Sequence, residues 1–502
     1  MDTLDRPAFE NSTQAEFSTA HDRAGLVGIG GDAEARAHLF SHWDAVLPHR
    51  ELNGAARPHV FEDRSAPLDI SYVHAGEERT LDDYVERNHV ASLLVIADGV
   101  VVHDRYRLGT HRGSRWHVWS ASKSFTSTVV GRALHTGVLD SIDDPVVKYI
   151  SISGGYAEAT VRDVLMMSSG VNFFHHQGSP DRRDMYRQIW GHGRDLDDFA
   201  GELGPRVRPG TDFNYLATDT HVLSMVLRAA YAQPFHQIVQ EQLWDAIGMA
   251  GGAFWSQHAD GDRGHAFGHA CLCLRALEFA HLGALYTQDG VWNGERLLPE
   301  GFAAESGSPR APFQAPSRGA RGYGYQWWVP WGSAGESMAL GAFGQMLWVD
   351  TSRGVSIAQF GAQGGDDSPD TDPEDVEDTH AVMRAIAAAV TSRDARSSRE
   401  HRHPITAGHQ SVEETFIMNP EHHPFARRHE SGLWEDELGG LGPAKPGTGP
   451  RQDPIGEFPT GPAVGDRFPD VVAVAHTGEV VDVHADRGDR TSVFVFYRSA
   501  VW

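Results

Sequence analysis

The chain has 502 residues, a formal net charge of −25, 40% hydrophobic residues and 22% charged ones. That length suffices for two or three domains with at least one large core, and the composition is that of a soluble globular protein. The acidic balance argues against nucleic acid and anionic membrane surfaces as partners, and no run of about 18 apolar residues marks a membrane span. The first 25 residues are polar and lack the apolar core of a signal peptide. Only Cys271 and Cys273 occur. Their C-x-C spacing is poor for a disulfide, and no further Cys completes a zinc site. They read as core thiols of a reducing compartment, hence a cytoplasmic protein.

Residues 1–35 read as a flexible leader, 36–47 as a short amphipathic helix and 80–85 as a second helix. Ser92-Leu93-Leu94-Val95-Ile96-Ala97 is a buried-strand run. The turn Asp98-Gly99 and the return strand from Val100 to Gly109 make it a hairpin. Residues 128–134 are helix-like. Thr160 to Gly170 reads as a capped short helix stopping at glycine. Residues 173–195 are rich in His, Arg, Asp and Gly and suggest an exposed loop over a site. Pro209-Gly210-Thr211-Asp212-Phe213-Asn214-Tyr215 is a turn into a helix over 220–231, followed by helices over 235–247 and 272–285. Strand composition returns at 323–329, 337–340, 345–349 and 355–360, and 376–390 is a closing helix. Two early strands, a helical middle and late strands point to an α+β domain whose first hairpin joins the last strands in one antiparallel sheet. Over 393–461 the periodic apolar pattern disappears, which reads as a linker with a docked segment at Thr415-Phe416-Ile417-Met418. Strand-like runs reappear at 471–474, 480–483 and 492–497.

The chemistry centres on Trp119-Ser120-Ala121-Ser122-Lys123-Ser124. Serine is a weak nucleophile and needs a base within hydrogen-bond reach. Three residues is about one helical turn, so Ser120 and Lys123 share a face at a helix start. The positive end of the helix dipole disfavours a second cation there, and the Ser120 N–H is offered to a developing oxyanion. On its own, S-x-x-K also fits a solvated helix start with a capping Ser and a surface Lys. The surroundings decide.

In order along the chain lie Ala97-Asp98-Gly99-Val100-Val101 with Tyr106, the stretch from Trp119 to Ser127, Thr160 to Gly170, Pro209 to Thr220, Tyr323 to Trp328, and Gly341-Ala342-Phe343-Gly344-Gln345. With these pieces, residues about 40 to 392 resemble the serine β-lactamase-like superfamily of class C β-lactamases, DD-peptidases and related esterases. Within it they look most like the 6-aminohexanoate-dimer hydrolase family. The resemblance implies the β-lactamase/transpeptidase-like fold, an antiparallel sheet flanked by helices with a large helical region, over 36–392. It implies Ser120 as nucleophile, Lys123 as general base and Tyr215 as the proton relay. It implies neither metal nor organic cofactor, and a small-molecule amide or ester as substrate. A homodimer is left open.

Two departures stand out. The class C pattern Tyr-x-Asn has Ala217 in its third place. The strand Ser337-Met338-Ala339-Leu340-Gly341 carries no cation where the family's third motif has Lys or His. Both count against a β-lactamase or DD-peptidase. The Ala339 N–H is expected to complete the oxyanion hole with that of Ser120. Tyr186, Tyr325, Trp327 and Gly341 are expected to shape the substrate pocket. The rival reading, from another class, is a binding module that kept the fold and lost its chemistry; the intact Ser120, Lys123 and Tyr215 oppose it.

Residues 462–502 carry a second resemblance. Val464-Gly465-Asp466-Arg467-Phe468-Pro469-Asp470, then Gly478 and Val493-Phe494-Val495-Phe496-Tyr497-Arg498, look like the opening of a peroxiredoxin-type thioredoxin-like domain. The sequence ends at Trp502, where the family's redox Cys falls due, so the segment reads as a truncated or remnant module without redox chemistry.

Overall fold

The computed structural model describes residues 31–175, 179–309, 321–364 and 373–400, and five short strands beyond them. The chain divides into two units, Met1–His403 and Pro404–Trp502.

In the first unit, strand β1 (Glu62–Asp63) precedes the hairpin of β2 (Val90–Ala97) and β3 (Val100–Tyr106). The hairpin turns at Asp98 and Gly99, which take φ of +46° and +78°; both angles suit the mirror-image turns that match strand twist. Helix α1 (Ser122–His135) follows, then α2 (Ala217–Tyr231) and α3 (Ala276–Thr287). Five strands close the domain: β4 (Arg321–Tyr323), β5 (Trp328–Pro330), β6 (Glu336–Gly341), β7 (Gln345–Asp350) and β8 (Val355–Gly361), with α4 (Pro373–Glu400) behind them. The sheet order is β4-β5-β6-β7-β8-β2-β3-β1. β8 pairs antiparallel with β2 from Val355 opposite Ala97 onward, so the early hairpin does join the late strands.

Both faces of this sheet are covered. Leu94, Ile96 and Ala358 join the core shared with α1 and α3, whereas Leu93, Val95 and Ile357 join a second core with Val382 and Ile386 of α4. Burial on both sides explains why β2 reads as a continuous apolar run rather than an alternating one.

α1 is buried almost all round. Its hydroxyls are satisfied by carbonyls of the elements packed on it: Thr126 Oγ1 donates to Gly268 O (2.6 Å), Ser124 Oγ to Gln326 O (2.7 Å) and Ser127 Oγ to Tyr325 O (2.7 Å). A run of Ser and Thr that looks solvent-facing is thus a set of short connectors inside the core.

Three expectations need correction. Residues 272–285 are not one helix: Leu272–Leu274 is a strand between Ala253–Ser256 and Trp116–His117, and the helix starts at Ala276. A three-residue apolar run cannot be told from a helix by periodicity. Residues 173–195 are not simply an exposed loop. Pro180–Tyr186 is a helix with Pro at its first position, and Met185, Tyr186, Ile189 and Trp190 point inward. The 323–329 stretch is two strands separated by a turn at Gln326, φ +63°.

The closing helix runs on to Glu400. The second unit shows a three-stranded antiparallel sheet (Arg427–Arg428, Trp434–Glu435, Leu441–Gly442) within the stretch read as linker. It also shows a hairpin of Val472–Val474 and Val480–Asp482. Residues 1–30, the segment at 415–418 and the strand at 492–497 lie outside the described residues.

Candidate active site

Ser120 sits in a 3-10 turn, Trp119–Ala121, that runs directly into α1. Trp119, just before it, takes φ +49°. A non-glycine residue holds that conformation only when its surroundings over-determine it. Here the Trp119 ring is gripped by Phe343 at 5.0 Å, Trp43 at 5.4 Å and Phe40 at 5.5 Å between centroids.

One turn on, Lys123 is 1% exposed. Its Nζ lies 2.9 Å from Ser120 Oγ and 3.0 Å from the His269 carbonyl oxygen. Burial, with a smaller effect of the Arg182 charge, pushes the amine down to about 7. A neutral amine facing a hydroxyl is what proton abstraction requires. Lys123 Nζ is also 5.0 Å from the centre of the Tyr215 ring. The Tyr215 phenol is raised above its ordinary value by burial, partly offset by its hydrogen bond with Ser120. Ser120, Lys123 and Tyr215, from two separate stretches of sequence, therefore meet.

The capped helix Val161–Leu165 holds this meeting in place. Thr160 Oγ1 accepts the Asp163 N–H while the Asp163 carboxylate accepts that of Thr160, a reciprocal cap. The chain leaving it carries the Met167 carbonyl, which takes the Asn214 N–H at 2.8 Å. Leu165 O accepts both the Gln326 N–H and its side-chain amide. Gly170, φ +78°, lies so close to Val207 that a Cβ would sit 2.3 Å from its carbonyl oxygen. Below, Asp219 is wholly buried and pushed up to about 7 by that burial, with Ser169 Oγ and Tyr156 OH donating to it.

Ala217 is fully buried at the first turn of α2, so no amide projects from that position. β5 pairs with β6 at one position only, Trp328 opposite Met338. Beyond it β6 runs past the Ser120 turn. Gly341 comes so close that a Cβ there would lie 2.2 Å from Val118 O and 3.1 Å from Trp119 Cβ. Ala339, two residues before it on the same strand, is buried.

Two pocket expectations are corrected. Tyr325 and Trp327 are fully buried. The Tyr325 phenol is engaged by Arg162 (2.6 Å) and Glu305 (3.0 Å), and Trp327 packs on Tyr286 at 4.4 Å. The turn at Gln326 sends both into the core. Trp328 instead, partly exposed, packs tilted against Tyr215 with ring centroids 5.3 Å apart. Tyr186 is buried, with its ring 6.2 Å from His269 and 5.7 Å from His175, itself 6.5 Å from Tyr215. Sequence reasoning missed Trp328, His175 and Arg182. The i, i+4 pair Arg182 and Tyr186 after Pro180 was the available signal.

For a metal, the set among the described residues is Asp195, His258 and His265, whose ligand atoms fall within 4.8 Å of one another, and Asp195, Asp197 and His221. Both read as one ion-pair network. Arg228 binds both oxygens of Asp197 at 2.5 and 2.7 Å, His221 takes one of them at 2.7 Å, and His258 Nδ1 already accepts the His265 N–H.

An α+β sheet domain thus brings a serine and a desolvated lysine at the head of its central helix up to a tyrosine from a separate stretch of the chain. The sequence profile described as Beta-lactamase matches residues 78–381, more than half of the chain. A 6-aminohexanoate-dimer hydrolase of Paenarthrobacter ureafaciens is 25% identical over 296 residues, 54% of this chain and 72% of that one. A protein of Alkalihalophilus pseudofirmus is 21% identical over 42% of this chain and 62% of its own. Among solved structures, one assigned as a 6-aminohexanoate-dimer hydrolase from Bacillus anthracis superposes with a TM-score of 0.61 at 19% identity, over 80% of this chain and 99% of that one. The chain belongs to the beta-lactamase family, and it is a serine hydrolase of that superfamily. Among the described residues no helix is long and apolar enough to cross a membrane.

Proposed function

We propose that this hydrolase cleaves a linear amide or ester through an acyl-enzyme on Ser120. Lys123, neutral, takes the Ser120 proton as Oγ attacks the carbonyl carbon. The Ser120 N–H and an N–H of β6, at Ala339 or nearer Gly341, hold the oxyanion. Tyr215 passes the proton to the leaving nitrogen or oxygen, and the acyl-enzyme is released by a water that gives its proton back along the same route. The chemistry needs no metal or organic cofactor. The observation that carries this reading is the 2.9 Å approach of Lys123 Nζ to Ser120 Oγ with the amine brought to about 7. The likeness to 6-aminohexanoate-dimer hydrolase favours a linear amide, and Ala217 with the cation-free β6 disfavours β-lactams. The two buried free cysteines favour the cytoplasm as its compartment.

A fluorophosphonate probe followed by peptide mapping tests the reading. Label is expected on Ser120 and absent from Ser120→Ala. Label on another residue, or ester hydrolysis surviving in Ser120→Ala, overturns it.

A further inference from the structure

The polar groups bonded to the nucleophile and its base are occupied. Ser120 Oγ and the His269 carbonyl oxygen share the Lys123 amine, and the Tyr215 phenol is bonded to Ser120. The imidazole of His269 is not. It is 0% exposed, and among the described residues neither its Nδ1 nor its Nε2 has a hydrogen-bond partner. A neutral imidazole carries one N–H and one lone pair, and leaving both unmet in a core is costly. Such a group in a folded protein calls for a role.

Its place is fixed. Trp255 Nε1 donates to the carbonyl oxygens of Phe267 (2.8 Å) and Ala270 (2.7 Å), and Thr126 Oγ1 to that of Gly268. Gly268 lies so close to α2 that a Cβ there would sit 2.6 Å from Ser224 Cβ. The rings of His269, Tyr186, His175 and Tyr215 follow one another at 6.2, 5.7 and 6.5 Å. Both ends of that series meet at Lys123, whose Nζ is bonded to the His269 carbonyl and lies 5.0 Å from the centre of the Tyr215 ring. Burial holds the His269 imidazole well below its usual range, and Lys123, His221, His175 and His117 push it the same way, Lys123 most. The ring therefore keeps a free lone pair at any pH at which Lys123 serves as a base.

We propose that His269 orients the water that releases the acyl group, its unprotonated ring nitrogen accepting one O–H of that water. This rests on the acyl-enzyme at Ser120. The water oxygen attacks the acyl carbonyl carbon, and its other proton leaves toward Tyr215 and Lys123. The bond between Ser120 Oγ and the acyl carbon then breaks, Oγ takes that proton back, and the free acid departs with the hydrogen that His269 held. A water donating to two acceptors turns a lone pair toward the carbonyl, which is the orientation that attack requires.

Methanol tests this on the full chain, because it has one O–H where water has two. That one must go to the base, so methanolysis draws nothing from an acceptor at His269. With 4-nitrophenyl butyrate in aqueous methanol, the readout is the ratio of butyric acid to methyl butyrate, which does not depend on how much of a variant is folded. In His269→Phe the ratio should fall about ten- to a hundredfold, the worth of the lost hydrogen bond. Butyryl-Ser120 should accumulate in the same variant, seen by mass spectrometry. His269→Asn sets an amide oxygen near the place of Nδ1 and His269→Gln near that of Nε2, and the one that recovers part of the ratio names the nitrogen. His117→Phe is the control. His117 is also buried with both ring nitrogens unpartnered, but Trp43 and Trp119 cover its faces at 4.1 and 4.2 Å, and its loss should leave the ratio as it was. A ratio that stays unchanged in His269→Phe, whether or not both rates drop, overturns the proposal while Ser120 stands. So does an equal fall in His117→Phe. Butyryl found on another residue, and never on Ser120, removes the Ser120 reading and this one with it.

Discussion

Replacing Lys123 with methionine should make the protein more stable while abolishing its hydrolysis. Lys123 is 1% exposed and its amine falls from 10.5 to about 7; in the unfolded chain it titrates near its free value of about 10.4. Between those values the unfolded state binds a proton that the folded state lacks, so stability rises with pH across that window. The penalty is complete below about pH 7 and gone above about 10.4. At 1.36 kcal/mol per pH unit it amounts to about 4 kcal/mol at neutral pH. Methionine has nearly the same reach and no charge. It forfeits the contacts with Ser120 Oγ and the His269 carbonyl, worth about 1 kcal/mol each. The net gain at pH 7 is therefore about 2 kcal/mol, shrinking to nothing or reversing by about pH 9.5. Urea unfolding of both proteins at the two pH values measures it. A stability gap that does not change with pH would mean that the amine is not desolvated in the fold, and an active Lys123→Met enzyme would mean that another group is the base.

The remaining expectations concern the reaction. The rate on a neutral ester should climb with pH through a limb near 7, because only the unprotonated amine accepts the Ser120 proton; a flat profile from about pH 5 to 9 refutes that assignment. Tyr215→Phe, which keeps the ring and loses the phenol bonded to Ser120, should lower kcat by about 10²- to 10⁴-fold, and near-normal turnover of an anilide would remove it from the proton route. Gly341→Ala forces its Cβ against Val118 O; displacing the nucleophile turn by about 1 Å should cost roughly a hundredfold in kcat/KM, with circular dichroism checking that the fold survives. Nitrocefin should be a much poorer substrate than 4-nitrophenyl butyrate, since two charge-assisted or amide contacts absent at Ala217 and on β6 cost about 1.5–3 kcal/mol each. A higher kcat/KM for nitrocefin would show that the pocket binds β-lactams without them.

The parts of the fold legible in sequence were those with one dominant local signal. Asp98-Gly99 between apolar runs permits little besides a hairpin, and Thr160 with Asp163 three residues later is a capping box at first sight. S-x-x-K named both Ser120 and Lys123. What the residues could not reveal was direction. Alternation around Gln326 leaves open which aromatic faces the site, and the left-handed turn there decides it by sending Tyr325 and Trp327 inward while Trp328 meets Tyr215. Leu272–Leu274 looked helical because its partners, Trp116–His117 and Ala253–Ser256, are far off in sequence. The helix at Pro180 was masked by its polar composition, although Met185, Tyr186, Ile189 and Trp190 have helical spacing.

α1 carries the nucleophile and the base and is also the keel of the molecule. Its Ser and Thr side chains are tied to loops on every side, and Gly131 lies so close to another helix that a Cβ would sit 2.7 Å from the Phe302 ring. Such a helix has almost no freedom to drift, because nearly any change in it is a change in the core. Evolution of new substrate ranges must then work from the rim. The segment from Pro180 to Trp190 and the start of β5 reach the reacting groups through single rings, and Arg182 and Trp328 keep partly exposed surface. A library confined to those positions should yield folded proteins with altered selectivity far more often than one of equal size built into α1.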